Sequence, residues 1–277
     1  MVALETSIVG QGLPFPQNLE AALGSEVAVR DAGGVPATIA VLDGRLRVGL
    51  GRGDLERIAA GSTKVSSRDL GPAVAKHQAG ATTVAATMRI AAMARVRFLA
   101  TGGIGGVHRG HPEDESADLL ELSRSPVAVF SCGAKIILDL PLTLERLESL
   151  SVPVLGYGCD EFPAFYTRHS GCPVSARVDG AAETAAVLRA AWDAGSHGVV
   201  VAVPPPAELE GADEMTRQAL SELKDTKGAA VTPRLLARMA ELSEGRSVEL
   251  NVQLVVNNAR VAAEVAGAYG TAERSHR

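Results

Sequence analysis

Short runs that are apolar at successive positions, Val96 to Ala100, Val127 to Cys132, Val152 to Gly156 and Gly198 to Val203, recur along this chain with helical segments between them. A strand with one wet face alternates apolar and polar residues, so runs without that alternation must be covered on both faces. The intervening segments supply the cover. Ser116 to Ser123 and Leu142 to Leu150 read as helices; Ala181 to Ala194 reads as a strongly amphipathic helix ending at Gly195, and Pro204-Pro205-Pro206 stops the strand before it. The pattern predicts an α/β fold, a three-layer α/β/α sandwich. Its central sheet should be mixed, because Val35 to Val41 and Arg45 to Leu50 flank Asp43-Gly44, a dipeptide suited to a tight antiparallel hairpin. Ala73 to Ala94 reads as helical segments interrupted near Gly80 and Thr82-Thr83, and the carboxyl-terminal part as mainly helical.

No linker, internal repeat or composition break divides the 277 residues, so one domain over residues 1–277 is expected. Three cysteines without a C-x-x-C pair argue for a reducing compartment, and the amino terminus lacks the basic region and long apolar core of a signal peptide. Cytoplasm is the expected location. Every apolar run is too short to span a bilayer. A net charge of −5 and 3% aromatic residues supply neither the field nor the stacking surfaces for a nucleic acid polymer, so a nucleotide partner should be a small molecule.

The strand Val127 to Cys132 leads through Gly133-Ala134 to Lys135 and delivers an amine to its inner end. A desolvated ammonium loses its proton more readily, and the free amine attacks carbon electrophiles; a lone lysine can equally lift its charge past the strand end into water. After the strand Val96 to Ala100, the ten residues Thr101 to Gly110 hold five glycines, with His108 and Arg109 near the end. Such a loop lets backbone amides approach a phosphate or a sugar, or is merely flexible; it matches neither Walker A nor G-x-G-x-x-G. Downstream, Glu113-Asp114-Glu115 and Asp118 set four acids beside it. They either complement a helix start or are relieved by a hard divalent cation such as Mg²⁺ or Mn²⁺. Glu5 follows apolar Val2-Ala3-Leu4, where a buried carboxyl group would serve as a proton donor near neutrality. Lys64 either binds phosphate or pairs with an acid, and spacing does not choose.

Together these segments closely resemble the pseudouridine-5′-phosphate glycosidase (pseudouridylate synthase) family, which includes the indigoidine-cluster homologues. The resemblance runs from Val2 to Ala259. Its most specific pieces are Gly12 to Asn18, Val35 to Ala40, Gly80 to Ala85, Ala100 to Gly110, Ser116 to Leu119 and Gly133-Ala134-Lys135. It implies a cytoplasmic homotrimeric lyase, acting as a glycosidase in the carbon–oxygen hydro-lyase class. With Mn²⁺, one ion per subunit, it would reversibly convert pseudouridine 5′-phosphate to uracil and ribose 5-phosphate through a lysine Schiff base. By position, Glu5 matches the proton donor, Lys135 the nucleophile and Asp114 the metal ligand. Lys64, Val84 and the run Ser116, Ala117 and Asp118 match substrate-binding positions, with Thr101, His108 and Asn258 as further pocket contacts. The chain departs from the pattern at Gln11, where histidine is expected, in the order Glu5-Thr6-Ser7, and at Glu115, where an apolar residue is common. Two alternatives are an aldolase-like Schiff-base lyase acting on another sugar phosphate and an inactive phosphosugar-binding homologue.

Overall fold

The computed structural model describes residues 1–222 and 231–275, the side chains of 231–233 and 272–275 excepted. Its strands are β1 (Val2–Leu4), β2 (Pro36–Leu42), β3 (Arg45–Val48), β4 (Thr63–Val65), β5 (Gly80–Thr82), β6 (Phe98–Ala100), β7 (Val107–His108), β8 (His111–Glu115), β9 (Ala128–Ser131), β10 (Val154–Tyr157), β11 (Ala176–Val178) and β12 (Val199–Ala202). The helices are α1 (Gln17–Asp31), α2 (Arg52–Ala60), α3 (Leu70–Ala75), α4 (Val84–Met93), α5 (Ala117–Leu122), α6 (Leu140–Ser149), α7 (Ala181–Asp193), α8 (Ala212–Glu222), α9 (Val231–Leu242) and α10 (Arg246–Ser275). Ten strands form one sheet in the order β11-β10-β12-β9-β6-β1-β2-β5-β4, with β3 on β2; β7 and β8 form a separate hairpin.

The expected three layers are present, and the reason is the unalternated strands. Val2, Leu4, Phe98, Ala100, Ala128, Phe130, Val199 and Val201 face a core shared with α7 and α10. Ala3, Leu99, Val129, Val200 and Ala202 face the opposite core, shared with α4, α5 and α6. Each strand is thus apolar on both faces because each face meets helices. The predicted hairpin also forms, with Asp43 at φ 52° and Gly44 at φ 71°, both in the left-handed region that a tight turn needs.

The sheet is mixed at one place that matters. β1 runs parallel to β2, with Leu4 opposite Thr38, while β5 runs antiparallel to it, with Ala40 opposite Ala81. Since β3 takes the other edge of β2, β1 and β5 follow one another along one edge with their carboxyl ends meeting. The Thr6 N–H donates to Thr82 O at 3.3 Å, and the Thr6 and Thr82 hydroxyls both donate to the Ile39 carbonyl, at 2.8 and 2.7 Å. The interrupted helix expected over 73–94 is therefore two helices with a strand at the interruption. Gly80 permits it, since a Cβ there would lie 2.5 Å from Val65 Cγ2 across the β4–β5 pair.

Beyond the ends of β6 and β9 the glycine-rich segment keeps pairing. Cys132 N donates to Gly102 O at 2.8 Å, Ile104 N to Gly133 O at 3.0 Å and Lys135 N to Ile104 O at 3.0 Å. Residues 101–107 are all buried, so this segment is a structural extension of the sheet and not a flexible loop. Gly133 carries the turn: its φ is +68°, and a Cβ would sit 1.9 Å from the Pro163 carbonyl oxygen. Gly133→Ala should cost about 3 kcal/mol or more in denaturant unfolding through backbone strain and overlap. Gly110→Ala, at φ +72° with nothing within 4 Å, should cost only about 1 kcal/mol.

Candidate functional site

The carboxyl ends of β1, β6 and β9 lie side by side where the strand order reverses about β1, the place where open α/β sheets expose loops to ligands. Each end contributes one residue. β1 ends at Glu5, which is 8% exposed; β6 ends at Thr101, which is 1% exposed; and β9 leads through the Gly133 turn to half-buried Lys135. The Glu5 carboxylate accepts a hydrogen bond on each oxygen, from Thr101 Oγ1 on Oε1 and from Ser7 Oγ on Oε2. Thr101 is held in turn, its carbonyl accepting from Asn258 Nδ2 at 2.7 Å.

Two cavities adjoin this cluster. An outer one of about 940 Å³ is bordered by Ser7, Gln11, Lys64, His108, Asp114, Ser116, Ala117, Asp118 and Lys135, among others. An inner one of about 70 Å³ is bordered by Glu5, Ser7, Thr101, Lys135, Phe165, Leu235 and Asn251, among others. Lys135 and Ser7 line both. The outer cavity carries cationic and acidic side chains; the inner one is largely apolar. Desolvation, and after it the like charge of Lys135, holds the Lys64 ammonium below the ordinary lysine range, while Asp118 and Glu5 oppose that shift.

Asp118, which is 4% exposed, accepts from Ala85 N at 2.8 Å and Gly105 N at 2.7 Å, so its carboxylate ties the first turn of α4 to the glycine-rich segment. Gly105 allows that approach, because a Cβ there would lie 2.2 Å from Ser116 Oγ. The amides of Thr101, Ile104, Gly105 and Val107 all donate to protein acceptors.

The four acids do not converge. His111–Glu115 is an exposed strand of the β7–β8 hairpin, so neighbouring side chains alternate in direction. Asp114 and Glu115 both line the outer cavity, but Glu115 is engaged by Arg146 at 2.7 Å, and Glu113 lies 3.2 Å from His111 Nδ1. Among the described residues no three His, Cys, Asp or Glu side chains are grouped to hold a metal. A cation enclosed by protein ligands alone does not fit. A hydrated hard cation on one carboxylate does, since such ions keep several waters and share substrate oxygens.

The remaining expected site residues are placed as follows. Ser116 caps α5, accepting from Asp118 N at 3.2 Å, and lines the outer cavity together with Ala117. The Val84 side chain is 1% exposed and belongs to the core beside α5, so only its backbone at the start of α4 is near the site. Asn258 is fully buried and borders neither cavity; it works through Thr101. Three further residues stand at the site: Ser7 and Gln11 entered the sequence reading only as departures from the family pattern, and Asn251 not at all. Ser7 bonds Glu5. Gln11 donates to Ser62 O at 2.7 Å while its Oε1 is buried without a partner. Asn251, which is 5% exposed, donates to Tyr166 OH at 3.0 Å, and its Oδ1 has no partner. The signal for Asn251 was a polar residue beside Leu250 and Leu254, which form a buried face of α10, and its meaning depends on what α10 packs against.

Comparison with known proteins shows the family of the chain. The family described as Indigoidine synthase A like protein matches residues 1–268. The chain is 53% identical over 280 residues to a protein of Nocardioides sp. named pseudouridine-5′-phosphate glycosidase, covering 97% of this chain and 91% of that one. It is 52% identical to a protein of the same name from Deinococcus radiodurans, covering 97% and 90%. Among solved structures it is similar to the prealnumycin C-glycosynthase AlnA in complex with ribulose 5-phosphate, with a TM-score of 0.90 and 38% identity over 100% of this chain and 93% of that one. An indigoidine synthase A-like protein from Thermotoga maritima gives a TM-score of 0.90 at 32% identity, covering 96% and 91%.

The lowered pKa of Lys64 has a consequence for anion binding. Its charge is present at low pH and is lost as pH rises through the lowered value, earlier than for a lysine in water. Affinity for inorganic phosphate, measured by calorimetric titration, should therefore weaken at a pH below the ordinary lysine range. Lys64→Met should bind phosphate poorly throughout and lack that limb.

Proposed function

Because the chain belongs to the indigoidine synthase A-like family, we propose that it cleaves the carbon–carbon glycosidic bond of pseudouridine 5′-phosphate, reversibly, to give uracil and ribose 5-phosphate. The observation that carries the reading is the shared boundary of the two cavities. Lys135 borders a charged compartment suited to a sugar phosphate and an apolar one suited to a flat base, as a nucleophile at the carbon joining sugar to base must.

The chemistry asks for such an amine. A carbon leaving group has no lone pair to protonate, so breaking the bond directly toward a sugar cation is unfavourable. In the proposed path the Lys135 amine adds to C1′ while the ring C–O bond breaks and the ring oxygen takes a proton from the acid Glu5. The added nitrogen gives up a proton, and its lone pair then forms a protonated imine as the C1′–C5 bond breaks, the bond's electron pair passing to the base carbon, which takes up the proton that nitrogen released. Water hydrolyses the imine, freeing ribose 5-phosphate and the lysine. Lys64 supplies charge for the phosphate, and binding energy from that remote group holds C1′ against the amine. Phe165 borders the space proposed for the base, and Asn251 Oδ1, buried and without a partner among the described residues, complements a base N–H.

A divalent cation, Mn²⁺ foremost, belongs to the proposal with Asp114 as its protein ligand; when bound it would supply positive charge and ordered water to substrate oxygens. A homotrimer is the proposed assembly and cytoplasm the proposed location. Among the described residues no helix is long and apolar enough to cross a membrane. The aldolase-like alternative shares the lysine, but the apolar inner cavity beside it favours a base over a second sugar fragment.

Uracil and ribose 5-phosphate incubated with the protein should form the C-nucleotide, read from its shifted ultraviolet absorbance; no product would end the reading. Lys135→Ala should lose turnover by roughly four orders of magnitude or more, as loss of a covalent nucleophile does. Borohydride with ribose 5-phosphate should label Lys135 and not Lys64, by peptide mass mapping. Asp114→Ala should lose its response to Mn²⁺ and its ordered-ion spectrum in electron paramagnetic resonance. An unchanged spectrum would move the metal elsewhere.

A further inference from the structure

We infer that Ser7 relays a proton between Glu5 and the sugar, so that an acid seated in the inner cavity acts on a substrate held in the outer one; the inference rests on the reaction proposed above. Glu5 borders the inner cavity and not the outer, whereas Lys64 borders the outer and not the inner. Ser7, Lys135 and Ile137 border both. Of these three, Ser7 alone holds a hydrogen bond to Glu5.

Each Glu5 oxygen accepts from one hydroxyl, and of Glu5 and its two hydroxyl partners Ser7 alone borders the outer cavity, so a sugar oxygen held there meets the acid through Ser7. Thr101 is the fixed partner: it is 1% exposed and its carbonyl is held by Asn258. Ser7 is half-buried and faces the outer cavity. It also precedes the π-helical turn Ile8–Gly12 at the N-cap position, where a serine hydroxyl ordinarily bonds the turn's amides, yet it makes no such cap. Its hydroxyl serves Glu5 instead. A π-turn at this place fits a functional segment, since such turns recur at active sites.

A hydroxyl has one proton to give and two lone pairs to receive with, and it rotates to suit. In the relay, Glu5, having taken the proton that the Lys135 ammonium gives up to become the free amine, passes it to Ser7 Oγ as the Ser7 hydroxyl proton moves to the sugar ring oxygen. The Lys135 N–C1′ bond forms and the ring C–O bond breaks in the same event. Glu5 is left as carboxylate, Ser7 is unchanged, and the ring oxygen has become a hydroxyl. The resting bond from Ser7 to Glu5 is the state after transfer.

The test compares wild type, Ser7→Ala, Ser7→Thr and Ser7→Cys for uracil release from pseudouridine 5′-phosphate, with thermal midpoints as a folding control. For Ser7→Ala, kcat should fall roughly 10²-fold or more, as for loss of a positioned proton donor, with KM close to wild type. Ser7→Thr should restore most of it, and Ser7→Cys, should the alanine variant fold poorly, should be slow at wild-type volume. The wild-type proton inventory in mixed light and heavy water should be curved, reporting two protons in flight, and that of Ser7→Ala linear. Wild-type kcat and inventory in Ser7→Ala, or a Ser7→Thr as slow as Ser7→Ala, would overturn the relay. A wild-type protein inert toward the nucleotide would instead overturn the proposed reaction.

Discussion

The site depends on one irregularity in the sheet, the meeting of β1 and β5 by their carboxyl ends along a single edge of β2. Strands arranged this way run out of ladder partners at the same point, and their backbone groups must be satisfied in the interior. Thr6 and Thr82 do this by directing two hydroxyls onto one carbonyl, that of Ile39, while Thr82 N donates to Thr6 Oγ1 at 2.9 Å. Thr87 adds a third hydroxyl, bonding Thr82 Oγ1 at 2.9 Å. This knot turns the chain out of the sheet at Glu5 on one side and at the start of α4 on the other. Everything polar in the site is arranged around that exit.

The second constraint is the continued pairing of the glycine-rich segment with Gly133 to Lys135. Glycines are often read as freedom; here they allow contact. At Gly103 a Cβ would meet the Phe165 ring at 2.7 Å, and at Gly106 it would meet Thr143 Oγ1 at 2.4 Å. With those positions bare, the segment is buried and hydrogen bonded, and the Lys135 backbone is fixed by its own amide and carbonyl. For the nucleophile proposed at Lys135, a backbone held this way lowers the entropy spent in reaching a substrate carbon, which is the advantage of placing it just beyond a strand and not on a loop.

Much was legible along the chain. The unalternated strands implied cover on both faces, and the structure has it. Asp43-Gly44 implied the hairpin, and both residues take positive φ. Lys135 and Glu5 stood out because each follows an apolar strand, and strand ends are where an open α/β sheet presents side chains. The acidic run was harder. As a string, Glu113-Asp114-Glu115 suggests a cluster; as a strand it separates, Asp114 and Glu115 bordering the outer cavity with Glu115 held by Arg146, and Glu113 lying beside His111. Asn258 also read differently, since full burial makes it a brace for Thr101 and not a wall of either cavity.

What the sequence determined by itself was local: which segments are apolar all round, where turns must fall, and which titratable residues sit at strand ends. These follow from periodicity and backbone sterics, which act over a few residues. Only the tertiary structure decided that β1 and β5 converge, that the Ser7 hydroxyl bonds Glu5 and not the amides of the turn it precedes, and that Asn251 reaches an inner cavity from far along the chain. Those outcomes depend on strand register and helix packing between segments separated by many residues, where a shift of one position would turn each side chain to the opposite face.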